Sequence, residues 1–323
     1  MEGLVPENLI KFFNEGTKFL IAGHKEPDGD CVGSQLALSL FLKRMGKEAI
    51  PCSAGPFKRS EIRAYEELFT PNPDTKNARA VILDCSTPDR TGDLEPLLDS
   101  LPLAVIDHHR WIAGKKTDKE AVVKFIDITA PATTVLVMRL IKAMGMEMSK
   151  EEAEYLFFGL CTDTGFFRHV DVGGVDTFES AIAMINAGAS PKTAYHSIYG
   201  GKSLNSRKLL GLVLNRVESY YDGKLLLSSE EYEETCLYGL EGRDTDSFYQ
   251  LLQSVNGVEV IVIIRQETPE KTTIGLRSRS YVDVGRIAEN LGGGGHKHAA
   301  GGSLPGTIPE VKSLIIDAFK KVF

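Results

Sequence analysis

The sequence predicts an α/β protein built from two domains. Its 323 residues are more than one ordinary domain needs and enough for two. In the first half, short runs that are apolar at nearly every position alternate with helical stretches, which is typical of a parallel sheet with helices on both faces. This rhythm changes after Gly188. We therefore expect a parallel-sheet domain over residues 1–190, a helical linker over 191–221 and a smaller α/β domain over 222–323.

The individual elements are predicted from the spacing of apolar residues. Strands of the first domain are expected at Lys18–Ala22, Ala49–Cys52, Ala80–Leu83, Leu103–Ile106 and Val122–Ile126, and helices at about Cys31–Met45, Ala132–Met144, Glu151–Leu160 and Thr177–Ala187. From Leu225 onward the expected order is strand, helix, long strand (Val258–Gln266), strand (Thr272–Arg277), helix, glycine-rich loop and terminal helix. This order predicts a second, separate α/β core.

Composition and charge narrow the classes of function. Hydrophobic residues make up 42% and charged residues 25% of the chain, as in an ordinary soluble protein, and no apolar run could cross a membrane. The five cysteines are scattered, so neither a disulfide framework nor a Cys-rich zinc site is expected. With an N-terminus unlike a signal peptide, these features predict a cytoplasmic protein. A net charge of −7 without a basic block argues against binding long duplex nucleic acid, so a nucleic-acid ligand should be small.

Residue types that commonly bind metal ions stand at the ends of the predicted strands. The full set is His24, Asp28, Asp30, Asp84, Asp107, His108 and His109, with Asp163 after a helical stretch. Because the carboxyl ends of parallel strands open into one crevice, these residues should converge there. Each fragment alone is as compatible with a surface turn, a helix cap or an inert histidine. Their joint position predicts a site.

So many carboxylates in one crevice require a compensating positive charge, because buried anions repel one another and are costly to desolvate. Divalent cations supply that charge, and a His/Asp set without Cys favours Mn²⁺ or Mg²⁺. Six or more ligands exceed the needs of one ion. They suit two ions that share a carboxylate, an arrangement used in phosphoryl transfer.

Four segments resemble the motifs of the DHH phosphoesterases. They are GHKEPDGD (23–30), ILDCSTPD (82–89), VIDHHR (105–110) and LCTDTGFFR (160–168). A fifth segment, GGGGHKHAAG (292–301), is similar to the signature of the accessory DHHA1 domain. The resemblance extends over essentially the whole chain in the expected order. With its length, the chain looks most similar to the stand-alone branch of nanoRNases and pAp phosphatases.

The resemblance implies a role for each residue of the predicted site. The implied metal ligands are His24 and Asp28 for the first ion, Asp30, His108 and Asp163 for the second, and Asp84 as the bridge. Asp107 would orient its neighbours, and His109 would face the scissile phosphate as a catalytic group. The two ions would be divalent cations, Mn²⁺ in the first place and Mg²⁺ as the alternative.

The second domain carries residues suited to binding substrate. Gly292–Gly295 is a predicted loop whose backbone can approach a phosphate closely. Arg277 and Arg279 share one face of a predicted strand, where they fit a phosphate site and a solvated sheet edge equally well. The pocket that the resemblance implies for the far nucleotide consists of Arg277, Ser278, Gly293, Gly294, Gly295 and His296, with Arg168 reaching the phosphate from the catalytic side.

The function implied by the resemblance is hydrolysis of short RNA to nucleoside monophosphates, with pAp to AMP as a further reaction. Hydrolysis of linear or cyclic dinucleotides, such as pApA or cyclic di-AMP, needs the same centre and is one alternative. A non-catalytic nucleotide-binding module is the alternative from another class, and the loss of a metal ligand would favour it; none is lost.

The sequence predicts no membrane partner and leaves a homodimer open. We interpret Trp111 as a packing residue.

Overall fold

The computed structural model describes residues 4–110 and 122–323, so Trp111 lies outside the described residues. The chain divides into two compact units, Met1–Gly201 and Lys202–Phe323. This division falls within the stretch 191–221 that the sequence indicates as a linker, and the exact domain boundaries stay predictions. Each unit has its own sheet and its own apolar core.

The first unit contains a five-stranded parallel sheet. Its strands are β1 (Lys18–Ala22), β2 (Glu48–Cys52), β3 (Arg79–Leu83), β4 (Leu103–Asp107) and β5 (Val123–Ile126), in the order β2-β1-β3-β4-β5. Its helices are α1 (Glu7–Glu15), α2 (Gly29–Arg44), α3 (Glu95–Leu98), α4 (Thr133–Ala143), α5 (Lys150–Asp163), α6 (Val175–Asn186) and α7 (Pro191–Tyr199). The predicted fold class is confirmed.

Alternate residues of these strands face two different cores. Phe19 and Ile21 belong to a core that also contains residues of α1, α2 and α4, whereas Leu20 belongs to a smaller core on the opposite face. A short 3-10 helix ending at Leu94 and the adjoining α3, with Leu98, cover that second face. Because both faces are covered, consecutive residues of a strand can all be apolar, which explains the continuous apolar runs in the sequence.

The second unit contains a six-stranded mixed sheet. Its strands are β6 (Glu218–Tyr220), β7 (Leu225–Glu230), β8 (Val260–Thr268), β9 (Lys271–Ser278), β10 (Gly294–His296) and β11 (Ala299–Pro305), in the order β10-β11-β9-β8-β7-β6. Its helices are α8 (Leu204–Asn215), α9 (Tyr232–Tyr238), α10 (Thr245–Gln253), α11 (Val284–Asn290) and α12 (Ile308–Phe319). Only β7 and β8 pair in parallel; the other described pairs are antiparallel. Residues of α11 and α12 share one core with the sheet, and residues of α8 and α10 share the other.

The structure corrects three expectations for this unit. Gly294–His296, expected as part of a loop, is an edge strand paired with β11. The short strand β6 lies in a stretch expected to be helical, and two helices rather than one separate β7 from β8. Glycine and alanine have weak strand propensity, and a three-residue strand is too short to show a period. Backbone pairing with the next strand along the chain therefore decides these edges, in spite of local propensity.

Among the described helices, none is both long enough and apolar enough to span a lipid bilayer.

Candidate metal centre

Three strand ends bring side chains of the candidate site to one edge of the first sheet. Two residues after β1 the chain reaches His24, directly after β3 it reaches Asp84, and β4 ends at Asp107. These strands are neighbours and parallel, so their carboxyl ends meet. Asp84 has φ of 60°, a left-handed conformation that is uncommon for a residue other than glycine. Asp84 therefore places a buried carboxylate at this edge on a strained backbone.

Two helices supply further carboxylates. Asp28 is the N-cap of α2, and its side chain accepts a hydrogen bond from the Cys31 amide at 3.1 Å. Asp30, in the first turn of α2, accepts hydrogen bonds from the amides of Thr133 and Thr134 at 2.7 and 3.0 Å. Asp163 is the last residue of α5. The amides that Asp30 accepts from are at the start of α4, where unpaired N–H groups favour a negative charge.

The six predicted metal ligands lie close together. The His24 Nε2 atom is 3.5 Å from Asp84 Oδ2 and 3.8 Å from Asp28 Oδ1. The His108 Nε2 atom is 3.6 Å from Asp84 Oδ1, 3.9 Å from Asp30 Oδ2 and 3.7 Å from Asp163 Oδ2. The two oxygens of Asp84 thus face different imidazoles, and the cluster falls into two halves that share this carboxylate.

Both imidazoles are held in the form that can bind a cation. His24 Nδ1 lies 2.9 Å from the Lys25 carbonyl, and His108 Nδ1 lies 3.2 Å from the Ala130 carbonyl. A carbonyl only accepts, so in the neutral imidazole each Nδ1 carries the proton and each Nε2 presents a lone pair to the carboxylates. The His108 Nε2 atom is buried and has no hydrogen-bond partner among the described residues. The donor set therefore fits divalent cations.

The electrostatics of the site indicate an excess of negative charge. Burial raises the pKa of Asp30 and Asp84, and the charge of Asp30 adds to the increase at Asp84. Burial and Asp30 raise the pKa of Asp163 to about 6. At His24, burial acts against protonation, but hydrogen bonds to Asp28 and Asp84 raise the pKa. The carboxylates thus attract a positive charge, which a bound cation would supply in place of a proton.

His109 has a different environment from its neighbour. Its Nδ1 atom donates to Asp107 Oδ1 at 2.8 Å, and its backbone amide donates to the same oxygen at 3.0 Å. Asp107 is fully buried and also accepts from the Ser86 hydroxyl. The hydrogen bond to Asp107 raises the pKa of His109 to about 8. Asp107 therefore orients His109, whereas the Ala130 carbonyl orients His108.

Two groups at this site, the Cys31 thiol and the Ala130 carbonyl, were not among the residues predicted from the sequence. The Cys31 thiol lies within 4.8 Å of ligand atoms of His24 and Asp84, although we expected no cysteine in the set. Burial raises the pKa of Cys31 to about 11, and its thiol donates to Gln35 Oε1 at 3.4 Å. Its place directly after Asp30 was the available signal. The contribution of Ala130 has no signal in the sequence, because a backbone carbonyl carries no residue identity.

The predicted substrate-binding residues have separate positions. Arg168 is exposed, and its Nη2 atom is 3.3 Å from His169 Nε2; the described contacts do not include it in the carboxylate cluster. In the second unit, Ser278 is buried and its hydroxyl lies 2.9 Å from His298 Nδ1. Arg277 lies on β9, and His296 is exposed on β10 next to Gly293, Gly294 and Gly295.

This is an α/β protein in which two imidazoles and four carboxylates, gathered at the carboxyl edge of a parallel sheet, form a candidate site for divalent cations. Residues 18–160 match the family model for the DHH family, N-terminal domain, and residues 234–323 match that for the DHHA1 domain. The chain belongs to the DHH family of phosphoesterases, as the motifs in its sequence indicated.

Relatives extend this similarity over nearly the whole chain. The bifunctional oligoribonuclease and PAP phosphatase NrnA of Thermus thermophilus is 31% identical over 303 residues, which cover 93% of this chain and 89% of the relative. The cyclic-di-AMP phosphodiesterase PdeA of Listeria monocytogenes is 25% identical over 98% of this chain, which matches only 49% of that protein. The crystal structure of an exopolyphosphatase-related protein from Bacteroides fragilis has a TM-score of 0.76 at 24% identity, covering 98% of this chain and 95% of that one. It shares the fold.

Proposed function

We propose that this protein is a metal-dependent phosphodiesterase that hydrolyses short oligoribonucleotides to nucleoside monophosphates and also converts pAp to AMP. The position of Asp84 carries the proposal, because its two oxygens face His24 and His108 at 3.5 and 3.6 Å. A carboxylate shared between two imidazole-containing halves suits a pair of cations acting on one phosphate. The similarity to the Thermus oligoribonuclease supports the choice of substrate.

The proposed ligands divide around Asp84. His24 and Asp28 would hold one divalent cation, and Asp30, His108 and Asp163 would hold the other, with Asp84 in contact with both. Oxygen and imidazole donors suit Mn²⁺ in the first place and Mg²⁺ as the alternative. Bound there, such cations would supply Lewis-acid chemistry to a phosphoryl oxygen.

His109 is the proposed catalytic group of the chain itself. Its Nδ1–H is held by Asp107, so its Nε2 is the atom that can carry or release a proton. The side chain is half-exposed, unlike the two proposed imidazole ligands, and a substrate could therefore reach it. We assign His109 to the leaving oxygen of the scissile phosphate, which it would protonate or stabilise by a hydrogen bond.

We assign recognition of the far nucleotide to residues of the second unit. Arg277 has no carboxylate within ion-pair distance among the described side chains, so its charge is available to a phosphate. His296 and the glycines Gly293, Gly294 and Gly295 are in the edge region beyond β11. Gly293 and Gly295 lie against the backbone of β11, whereas the space beside Gly294 is open to a base or sugar. Ser278 would contribute to this recognition through its contact with His298. Arg168, a residue of the first unit, would bind a phosphate of the substrate.

A second candidate function is hydrolysis of linear or cyclic dinucleotides. The similarity to the Listeria phosphodiesterase, which extends over 98% of this chain, favours it. It requires the same metal ligands and differs in the shape of substrate admitted. A non-catalytic binding module is less well supported, because every proposed ligand is in place.

The test compares kcat/KM for RNAs of two, three, five, ten and twenty-four residues, with pAp, pApA and cyclic di-AMP in the same panel. We expect Mn²⁺-dependent activity that chelator abolishes and that falls at least about tenfold, or ~1.4 kcal/mol of transition-state stabilisation, between the short and the long RNAs. The Asp84→Ala variant should be inactive. Equal efficiency on all RNA lengths, or an active Asp84→Ala variant, would contradict the proposal, and a preference for cyclic di-AMP would favour the second candidate.

A further inference from the structure

Arg277 is held in place by groups that do not neutralise it. Its guanidinium lies over the ring of Tyr249, 4.7 Å from the ring centroid, and its Nη1 atom donates to the Leu276 carbonyl at 3.0 Å. Other arginines of the same unit are paired with acids: Arg243 and Arg265 both contact Glu230. Arg277 has no such partner among the described side chains. An oriented guanidinium with its charge uncompensated is suited to an anionic ligand.

Tyr249 is an unusual choice for the interior of this unit. It lies in α10, is 5% exposed, and packs with Phe248 in the core that covers one face of the sheet. Its hydroxyl is buried and makes no hydrogen bond with the described residues. A buried hydroxyl without a partner destabilises a fold, so phenylalanine would serve packing alone at least as well. The hydroxyl therefore adds nothing to the core, and the ring is the part of Tyr249 that contacts Arg277.

Gly275 makes room for the Tyr249 side chain. It lies in the interior of β9, two residues before Arg277 on the same face of the strand. A Cβ atom at this position would overlap the Tyr249 hydroxyl, and the next neighbour, Ile263 Cγ2, would be 3.4 Å away. Glycine weakens a strand interior, so its presence marks a close approach. The glycine, the tyrosine and the arginine thus form one local arrangement.

We propose that Tyr249 is a positioning residue for Arg277. Its ring stacks on one face of the guanidinium and restricts the rotamers of the arginine, so that the N–H groups not bound to Leu276 stay ready for an anionic group of the substrate. Gly275 admits the hydroxyl at the end of that ring. The inference rests on the proposed function in one respect, that Arg277 binds a nucleotide phosphate. The expected benefit is in binding, because less conformational freedom is lost when the ligand arrives.

The first test separates the ring from the hydroxyl of Tyr249. Tyr249→Phe keeps the ring and should leave KM for a diribonucleotide within about twofold of wild type, whereas Tyr249→Leu should raise it roughly 3- to 30-fold with kcat nearly unchanged. Hydrolysis of bis(p-nitrophenyl) phosphate, which has no distal nucleotide, should be the same in all three proteins. A folded Tyr249→Leu variant with unchanged KM, or with losses on both substrates, would overturn the inference.

The second test asks whether Tyr249 acts through Arg277. In an Arg277→Ala background, Tyr249→Leu should change KM less than about twofold, because the group that the ring positions is gone. An effect as large as in the wild type would mean that the ring acts elsewhere. If Tyr249→Leu does not fold, phenylalanines with increasing numbers of fluorines at this position keep the shape and weaken the attraction for a cation. KM should then rise with each fluorine, and a flat series would refute the positioning role.

AMP binding in chelator distinguishes failure of this inference from failure of the proposed function. Without cations, affinity for AMP measured by calorimetry should depend on the proposed substrate-binding residues, Arg277 among them, and not on the metal centre. Weaker AMP binding in both Arg277→Ala and Tyr249→Leu supports the inference even if no RNA is hydrolysed. Weaker binding in Arg277→Ala alone overturns the inference and leaves the proposed function standing.

Discussion

Asp84 combines burial, contact with the imidazoles of His24, His108 and His109 and a left-handed backbone in a single residue. It is 2% exposed, and its φ of 60° is one that residues other than glycine seldom adopt. Such strain costs about 1–3 kcal/mol and persists where the surrounding structure enforces it, most often at functional sites. Here the turn after β3 directs one oxygen towards His24 and the other towards His108. The backbone strain at Asp84 therefore indicates that the position of this carboxylate serves the site.

The neighbours His108 and His109 should respond differently to substitution. His108→Ala removes the nitrogen that faces Asp30, Asp84 and Asp163, so bound Mn²⁺, measured by elemental analysis after desalting, should fall. His109→Ala should keep its Mn²⁺ and lose kcat by roughly 100-fold or more, as expected for general acid–base catalysis. Each variant serves as the control for the other. Equal loss of metal in both would contradict the assigned roles.

At the scale of elements, the crossing of α2 and α5 brings the carboxylates of the two helices together. A Cβ atom on Gly33 would be 2.5 Å from the Tyr155 carbonyl oxygen, and one on Gly159 would be 3.1 Å from Asp30 Cα and from Gly29 O. The helices therefore approach with backbone against backbone. This close contact allows Asp30, near the start of α2, and Asp163, at the end of α5, to face the same imidazole.

Gly159→Ala should separate the two helices. The added methyl group would lie 2.5 Å from Thr134 Cγ2 of α4 and 3.1 Å from the backbone of α2, which cannot rotate away, so we expect a loss of about 1–3 kcal/mol in the free energy of unfolding together with weaker Mn²⁺ binding. Gly211→Ala is the matched control, because Gly211 lies within α8 and has no atom within 4 Å of the added carbon. That change should stabilise the protein by up to about 1 kcal/mol. Chemical denaturation and metal titration measure both quantities, and unchanged Mn²⁺ affinity in Gly159→Ala would count against the crossing as a determinant of the site.

Glu259 connects the chain before β8 to the segment after β9. Its carboxylate accepts hydrogen bonds from the amides of Ser280, Tyr281 and Val282 at 3.1, 2.8 and 2.9 Å, and from the Ser280 hydroxyl at 2.7 Å. Burial opposes ionisation, but these hydrogen bonds lower the pKa of Glu259 below its ordinary 4.5. The charged form therefore stabilises the fold fully above about pH 4.5, and this contribution is lost as the pH falls through the lowered pKa.

Glu259→Gln should accordingly cost about 2 kcal/mol of unfolding free energy at pH 7, since charge-assisted hydrogen bonds are replaced by fewer neutral ones. The difference from wild type should shrink as the pH falls through the lowered pKa of Glu259, where the wild-type carboxyl gains a proton. The exposed Glu270→Gln is the control and should change little. Urea unfolding at several pH values provides the measurement, and a constant difference over the whole range would show that the charge of Glu259 is not the cause.

At the scale of the whole molecule, two compact units with separate sheets and cores divide the proposed roles. The first carries the carboxylate cluster and the second carries Arg277 and the glycine-rich edge. A ligand that binds only the folded form stabilises it by about 2.7 kcal/mol at 100 times its dissociation constant. Cations that bind at the cluster should therefore stabilise the unit that contains it.

Hydrogen exchange should report this difference along the chain. Addition of Mn²⁺ to chelator-treated protein should slow exchange in peptides of α2, α4 and the end of α5, because these elements carry or support the proposed ligands. Peptides of α12, in the second unit, are the internal control. Protection confined to residues 202–323 would place the cations elsewhere and refute the proposed ligand set.

The sequence by itself determined the five strands of the first unit, four of its helices (α2, α4, α5 and α6) and the residue types at its strand ends. Apolar periodicity is a local property, and the buried parallel strands show it at nearly every residue. The motifs are local as well, so the family could be identified from them and the comparisons confirmed it. The roles of individual site residues stay predictions, although the structure brings all six proposed ligands together.

Only the tertiary structure decided which groups meet across the chain. The Ala130 carbonyl fixes the tautomer of His108, the Cys31 thiol turns towards the cluster, and the ring of Tyr249 reaches Arg277 from another element. The strand β10 forms because its backbone pairs with β11, in spite of a composition that favours a loop. Each of these contacts joins groups that have no periodic relation in the sequence. They depend on how helices and strands pack, which local sequence patterns do not encode.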